Sequence, residues 1–253
     1  MMNKNGYQMH EIERNSMSAV NKFEENVSHW VATYLFKKKF PASAAMWRGI
    51  VAEDVVMWVL TEKMSFAEAL VKGIEKFDRQ MGKIQDDKTA KERGNIEAYS
   101  TLAIEAMLPY GKPTFPLDGA QHKVSINAKG DGWSLPVIGY LDFVYPKEGL
   151  VIDLKTTMRM PSKMSPSHIR QRCFYQRCMG NHSVKFLYVT PKKVSMLEDG
   201  DMDTELAKIK EIMSRQERFL RLGDKEFLRS IVPHNPHSFY WNGGEDIARE
   251  LFY

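Results

Sequence analysis

Two aspartates and a lysine of the right types for phosphate chemistry lie close together in the sequence. Asp142 belongs to the apolar run LDFVY, and Asp153 belongs to the run LVIDL, with Lys155 two residues further on. Carboxylates are ligands for hard cations such as Mg²⁺, and a nearby ammonium group can stabilise charge that develops on a phosphate. The residues indicate a metal-dependent site, the alternative being an ordinary hairpin with a solvated polar face.

The two apolar runs predict a β-hairpin that would hold these side chains together. The turn-forming residues PKEG separate runs rich in β-branched and aromatic residues. A symmetric hairpin pairs Tyr145 with Leu150, and so Asp142 with Asp153, at a Cβ separation of about 4.5–5.5 Å. Lys155 shares the face of Asp153 because side chains alternate along a strand. The opposite face would carry core residues: Leu141, Phe143, Ile152 and Leu154.

A helix is predicted to follow the hairpin and to add polar groups to the site. Gln171 and Tyr175 lie four residues apart and therefore on one helical face, where an amide and a hydroxyl can bind a phosphate oxygen or Lys155. Simple packing is the alternative for this pair. The candidate phosphate-binding residues nearby are Arg170, Arg172 and Lys163.

A third acid is expected, because two carboxylates leave much of a Mg²⁺ shell to water. Glu53 lies in a helical run predicted over 50–64, beside Val55 and Val56. An acid near an apolar helix face needs a partner, which a metal would supply. Asp54 competes with Glu53 for this role, and spacing alone does not separate them.

Composition and charge fit a globular chain that binds a polyanion. The chain has 253 residues, 43% hydrophobic and 27% charged, with net charge +4. Between Leu154 and Lys193 there are nine Lys or Arg residues and no acid. Residues 27–51 also lack acids and contain Lys37, Lys38, Lys39 and Arg48. Such segments suit nucleic acid, whereas a solvated face is the alternative.

The order of predicted elements indicates one α/β domain over 1–253, with a mixed sheet and a helical N-terminal portion. Residues 1–14 form a loose arm, about 28–195 carry the motifs, and 201–253 form a C-terminal helical segment. Further predicted helices span about 16–40, 65–81, 89–107, 165–179, 203–221 and 226–231. Further predicted strands span 121–127 and 184–189, with a turn at 128–132.

Redox and targeting signals favour a soluble cytoplasmic protein without a membrane partner. The sequence has no secretory leader pattern and no long apolar run, and its two cysteines are expected to be reduced. Cys173 and Cys178, with His168 and His182, match no compact zinc spacing.

Four motifs occur in a fixed order along the chain. They are Gly49-x-x-x-Glu53, Leu141-Asp142, Asp153-Leu154-Lys155 and Gln171-x-x-x-Tyr175. This ordered set resembles the motif series of the PD-(D/E)XK nuclease superfamily, and its last motif resembles RecB-type and lambda-type phage exonucleases. The resemblance implies a restriction-endonuclease-like core, a mixed central sheet flanked by helices.

The resemblance also implies roles for individual residues. Mg²⁺ or Mn²⁺ would be bound by Glu53, Asp142, Asp153 and the Leu154 carbonyl, Lys155 would be catalytic, and Gln171 and Tyr175 would support the site. Arg48 is by position the candidate for holding a 5′ phosphate. Leu141 replaces the proline of the motif, Glu53 stands where some RecB-type domains carry histidine, and two cysteines rule out the four-cysteine iron–sulfur cluster of some relatives.

The expected function is a Mg²⁺-dependent exonuclease that hydrolyses phosphodiester bonds from DNA ends, in phage or bacterial recombination, repair or DNA degradation. The alternatives are a structure-specific or restriction-like endonuclease and a non-catalytic nucleic-acid-binding protein on a nuclease fold. By the same resemblance, further expected partners are other copies of the chain in a ring and a single-strand annealing protein.

Overall fold

The computed structural model describes residues 5–84, 86–114, 121–126 and 133–253. Contacts divide the chain into two compact units. Unit one comprises Met1–Pro41, Val124–Gly139 and Asp201–Tyr253, and unit two comprises Ala42–Lys123 and Tyr140–Gly200. All the predicted site residues belong to unit two. The single-domain interpretation of 1–253 stays a prediction.

The helices agree closely with the periodicity of the sequence. Their bounds are α1 Gly6–Met9, α2 Met17–Glu25, α3 Val27–Trp30, α4 Ala44–Leu60, α5 Phe66–Met81, α6 Thr89–Met107, α7 Pro166–Met179, α8 Met202–Leu220, α9 Lys225–Ile231 and α10 Glu245–Phe252. A π-helical turn over Val31–Leu35 extends α3. The helix predicted over 50–64 begins earlier and ends earlier. The helix predicted over 16–40 is divided at Asn26 and ends at Leu35, and α1 and α10 were not predicted.

The strands form two mixed sheets. Their bounds are β1 Asn15–Ser16, β2 His122–Ile126, β3 Val137–Leu141, β4 Phe143–Tyr145, β5 Leu150–Thr156, β6 Ser183–Val189 and β7 Val194–Leu197. One sheet has the order β1-β3-β2 and the other β4-β5-β6-β7. The chain is therefore a mixed α/β protein, as predicted. The turn predicted at 128–132 lies outside the described residues.

Unit one is held together by buried polar contacts and aromatic packing. Tyr7 of α1 donates its hydroxyl proton to one of two acceptors on α8, the Met213 carbonyl at 2.8 Å or the Gln216 side chain at 2.9 Å. β1 runs parallel to β3, with Asn15 opposite Val137. A second cluster buries Ala32 and Trp241 with the α10 residues Ala248 and Leu251.

Unit two packs α4 and α6 against the four-stranded sheet. Ala52 and Val56 of α4 share one buried cluster with Tyr99 of α6 and with Phe143 and Ile152 of the sheet. The sequence starts α5 with the predicted capping box, in which Ser65 and Glu68 satisfy each other's backbone N–H groups. Ser165 caps α7, Pro166 occupies its first turn, and Gly180 ends it at φ 59°.

The predicted hairpin is confirmed in its register. Tyr145 pairs with Leu150 and Phe143 with Ile152, in antiparallel orientation. The turn between them is a short 3₁₀ segment that ends at Gly149 with φ 55°, a left-handed conformation that glycine adopts without strain. Asp142 lies at the bend between β3 and β4. Continuing the register by one residue beyond Phe143 and Ile152 would place it opposite Asp153.

None of the helices in the described part of the chain is both long enough and apolar enough to cross a membrane.

Candidate active site

Three carboxyl groups of unit two meet at the end of the hairpin, although they come from distant parts of the sequence. Asp142 is 8% exposed and Asp153 is 1% exposed, and Glu53 of α4 is half-buried. The Leu154 N–H donates to Asp142 Oδ2 at 3.0 Å, which fixes that carboxylate beside β5. The structure therefore brings together the three acids that the motifs select.

Gln121 joins two of these acids. Its side-chain nitrogen Nε2 donates to Glu53 Oε1 at 2.7 Å and to Asp142 Oδ1 at 2.9 Å. One amide group thus bridges a carboxyl group of α4 and a carboxyl group of the hairpin. Sequence reasoning missed Gln121, because a glutamine just before a strand carries no distinguishing pattern.

Lys155 is held on the same side of the sheet as Asp153. Its ammonium group forms an ion pair with Asp153 and lies 4.9 Å from the centre of the Phe186 ring. In the parallel pairing of β5 with β6, Asp153 faces Phe186 and Lys155 faces Tyr188. Side-chain alternation sends Ile152 and Leu154 to the opposite, core-forming side.

The acids have pKa values raised by burial and by one another. Burial and the charge of Asp153 raise the pKa of Glu53 to about 7. Burial, Asp153 and Glu53 raise the pKa of Asp142 well above its ordinary value. Burial raises the pKa of Asp153 and outweighs the opposing effect of Lys155. Three acids around one ammonium group carry an excess of negative charge when they ionise.

The pKa of Lys155 moves in the direction that keeps the ammonium charged. Burial lowers this pKa, but the carboxylates of Asp153 and Asp142 outweigh burial and raise it. Lys155 therefore carries a positive charge beside the three acids in this arrangement.

The α7 pair is placed beside this cluster. Gln171 Nε2 donates to the Tyr175 hydroxyl oxygen at 2.8 Å, and Tyr175 is 4% exposed. Burial, followed by the charges of Asp153 and Asp142, raises the pKa of Tyr175 well above its ordinary value. The tyrosine accordingly keeps its proton next to the acids, and Gln171 orients it.

The donor chemistry of the cluster fits a hard divalent cation. Carboxylate oxygens from neighbouring elements are the ligands that Mg²⁺ and Mn²⁺ take, and the excess negative charge needs a counter-ion. Within residues 5–84, 86–114, 121–126 and 133–253, no three His, Cys, Asp or Glu side chains are arranged to hold a metal ion as they stand. Two acids are bonded instead to Gln121, and the third is paired with Lys155.

Asp54, the competitor of Glu53, points elsewhere. Its carboxylate forms an ion pair with Lys76 of α5, and both side chains are partly exposed. Adjacent helical residues diverge by about 100° around the axis, so only one of the two acids can reach the hairpin. The structure brings Glu53 to the cluster.

Arg48 is buried, and its guanidinium group is bonded to other protein groups. It is 3% exposed and forms an ion pair with Glu92 of α6, while its other terminal nitrogen donates to the Thr156 carbonyl and hydroxyl at 3.1 Å. Its guanidinium carbon lies 4.4 Å from the centre of the Tyr99 ring. These contacts tie α4 and α6 to the end of β5. The phosphate role predicted for Arg48 stays a prediction, and its known contacts are structural.

The other predicted basic contacts differ in exposure. Arg172 is 8% exposed and donates to the carbonyls of Asp199 at 2.9 Å and Gly200 at 3.0 Å, so it anchors the segment after β7. Arg170 is 6% exposed. Lys163, in contrast, is exposed.

A further polar pair beside Lys155 was also missed by the sequence analysis. His168 Nδ1 lies 2.7 Å from the Tyr188 hydroxyl. Burial and the charge of Lys155 lower the pKa of His168 to about 4, so the ring is neutral at physiological pH. His168 lies three residues before Gln171, on the same face of α7, and this spacing was the available signal.

Comparisons with known proteins add little to this geometry. No family model matches the chain, and no curated protein matches it. Among solved structures, the crystal structure of SSO0001 matches with a TM-score of 0.35 and 16% identity, covering 78% of this chain and 83% of that chain. A likeness at this TM-score carries no inference about fold family or function.

Proposed function

We propose that the protein is a metal-dependent deoxyribonuclease of the PD-(D/E)XK type, with unit two as its restriction-endonuclease-like core, and that it acts as an exonuclease on DNA ends. The observation that carries this proposal is the cluster of Glu53, Asp142 and Asp153 around Lys155. Three acids with raised pKa values in one buried place are costly to the fold, and such groups concentrate at functional sites.

The residues that would hold Mg²⁺ or Mn²⁺ are Glu53, Asp142, Asp153 and the Leu154 carbonyl. When bound, the cation would supply Lewis acidity to the scissile phosphate and would lower the pKa of a water molecule. Asp142 is preorganised for this task, because the Leu154 N–H already fixes one of its oxygens at 3.0 Å.

Lys155 would stabilise the negative charge that develops on the phosphate oxygens during attack. Its ammonium is held in place by Asp153 on one side and by the Phe186 ring on another. A preorganised charge in a site shielded from water stabilises a transition state more than the same charge in solvent. Tyr175, with its hydroxyl oriented by Gln171 at 2.8 Å, would donate a further hydrogen bond to the substrate.

The substrate backbone would contact the exposed cations of the acid-free segment. The exposed members of this group in unit two are Arg159, Lys163, Arg177, Lys192 and Lys193. Because Arg48 and Arg172 are already committed to protein acceptors, the exposed residues are the better candidates for phosphate contacts. A ring-shaped homo-oligomer and a single-strand annealing partner stay predictions.

The test compares linear duplex DNA labelled at one end with circular duplex DNA labelled internally, each with Mg²⁺ and with EDTA. We expect mononucleotides or short products from linear DNA only, in Mg²⁺ only, and none from Asp153→Asn. Cleavage of circular duplex DNA would instead identify an endonuclease. DNA binding without cleavage in any divalent cation would identify a binding protein.

A further inference from the structure

The amide of Gln121 lies where a cation shared by Glu53 and Asp142 would lie. The two hydrogen bonds, 2.7 Å to Glu53 Oε1 and 2.9 Å to Asp142 Oδ1, originate from a single nitrogen atom. Ligand oxygens in proteins stand about 2.0–2.6 Å from Mg²⁺ or Ca²⁺, only slightly closer than these acceptors stand to the amide nitrogen. The NH₂ group therefore replaces the cation as the positive partner of both acids.

A glutamine side chain can also present an oxygen atom, which suits a neighbouring cation instead of neighbouring carboxylates. Its amide carries two N–H donors on one atom and a carbonyl acceptor on the other, and rotation about its terminal C–C bond exchanges them. Next to two carboxylates the carbonyl would be repelled, so the NH₂ group faces them. Next to a cation the NH₂ group would be repelled, and the carbonyl oxygen, a ligand that hard cations accept, would face it.

We propose that Gln121 is an additional metal ligand of the carboxylate cluster, and that its amide moves back by about one metal–oxygen distance, ~2 Å, and reverses when the cation binds. This inference rests on the proposed function, because it assumes the same metal site. In the absence of metal the NH₂ group holds Glu53 and Asp142 at ligand spacing, and in its presence Oε1 joins their oxygens on the ion. The side chain thus keeps the site assembled in both states.

The competing interpretation is that Gln121 only blocks the metal site, and it predicts the opposite effect of removing the side-chain amide at this position. If the Gln121 side chain only blocks the site and leaves when the cation arrives, removing the amide would tighten metal binding. If the amide supplies a ligand, removing it weakens metal binding. The sign of the change in affinity therefore decides between a ligand and a competitor.

The experiment measures Mn²⁺ binding to the full chain by titration calorimetry and by electron paramagnetic resonance of free Mn²⁺. We expect Gln121→Met to raise the Mn²⁺ dissociation constant about tenfold, within the range found when supporting groups of metal sites are removed. Gln121→Glu, which supplies a carboxylate at the same position, should lower it roughly tenfold. Gln80→Met, the same exchange at the end of α5, should leave it unchanged.

The side-chain NH₂ resonances of Gln121, assigned by their absence from Gln121→Met, provide a second measurement on the wild type. Saturating Mg²⁺ should shift them and speed the exchange of their protons with water, because both carboxylate bonds are lost. Equal or tighter Mn²⁺ binding by Gln121→Met, or NH₂ resonances that Mg²⁺ leaves unchanged, would overturn the inference.

Failure of the proposed metal site has a different signature. In that case the wild type either binds no Mn²⁺ or binds it equally well after Asp153→Asn. Both the metal site and the role of Gln121 are then refuted. If Asp153→Asn abolishes binding and Gln121→Met does not weaken it, the metal site stands and only the role of Gln121 is refuted. Should Gln121→Met not fold, Gln121→Ala, which also lacks the amide, takes its place in the same titration, with weaker Mn²⁺ binding expected of a ligand and tighter binding of a competitor.

Discussion

Replacing Glu53 by glutamine should stabilise the metal-free protein while it removes a metal ligand. The glutamine keeps the size of the side chain and still presents a carbonyl oxygen to the Gln121 amide, which donates at 2.7 Å in the wild type. It removes only the charge that the buried cluster does not tolerate well. A purely structural acid would show the opposite result, because its loss would destabilise the fold.

The magnitude and the pH window follow from the pKa of Glu53. Burial and Asp153 raise this pKa from an ordinary 4.5 to about 7. The folded protein therefore holds the proton more tightly than the unfolded chain, and ionisation of Glu53 costs stability as pH rises from 4.5 through 7. At about 1.4 kcal/mol per pH unit the full cost is about 3 kcal/mol above pH 8. Glu53→Gln should recover most of it.

The assay is denaturant and thermal unfolding in EDTA at pH 8 and at pH 4.5. We expect a free energy of unfolding about 2–3 kcal/mol higher than that of the wild type at pH 8, with Tm higher by roughly 5–10 °C, and little difference at pH 4.5. The matched control is Asp54→Asn, which loses only a partly exposed ion pair with Lys76 and should cost about 0–1 kcal/mol.

In Mn²⁺ the order of stabilities should reverse, because the wild type gains binding free energy that Glu53→Gln has largely lost. Cleavage should fall with it. A Glu53→Gln protein that is less stable than the wild type in EDTA at pH 8 would refute the reasoning, as would a gain that is the same size at both pH values.

Three further outcomes test other parts of the structure. Lys155→Met should reduce cleavage at least about 100-fold while Mn²⁺ binding persists; near-normal rates would remove Lys155 from the mechanism. Arg48→Met should cost about 3–5 kcal/mol of unfolding free energy by leaving Glu92 buried and unpaired, and the double variant with Glu92→Met should recover part of it. Burial, and secondarily Lys22, lower the pKa of His29 to about 4, so up to about 3 kcal/mol of stability should be lost as pH falls from 6.5 to 4. Over this pH range His29→Phe should lose up to about 3 kcal/mol less stability than the wild type, the contribution of His168 remaining, whereas exposed His237→Phe should behave like the wild type.

The hairpin was predictable because its register is set locally. A four-residue turn between two apolar runs leaves one symmetric pairing, and Tyr145 opposite Leu150 then fixes the rest. The same holds for α5, whose capping box marks its first residue. Elements without a local signal were missed: β1 has two residues, and β7 is a short edge strand whose partner lies in β6.

The candidate site was predictable in its residue types and only partly in its members. Asp142, Asp153 and Lys155 follow from the hairpin, and Gln171 and Tyr175 from helical spacing. The choice of Glu53 over Asp54 needs the packing of α4 against the sheet, because both acids lie on the same helix. Gln121 could not be predicted from the sequence, because its two acceptors lie on α4 and on the hairpin and come together only in the folded structure.

A charge run does not tell which of its members are exposed, as the buried Arg48 and Arg172 show. An acid-free segment suggests a surface that binds a polyanion. Its basic side chains can nevertheless be paired with acids elsewhere in the sequence or with backbone carbonyls. Glu92 lies 44 residues after Arg48 and satisfies it in the core, and the carbonyls of Asp199 and Gly200 satisfy Arg172. Arginine serves such buried roles well because its fork of donors meets several acceptors at once. Lysine, with a single charged nitrogen on a flexible stem, stays at the surface more often. Within the basic segments of unit two, the lysines at 163, 192 and 193 are therefore better candidates for nucleic-acid contacts than the buried arginines.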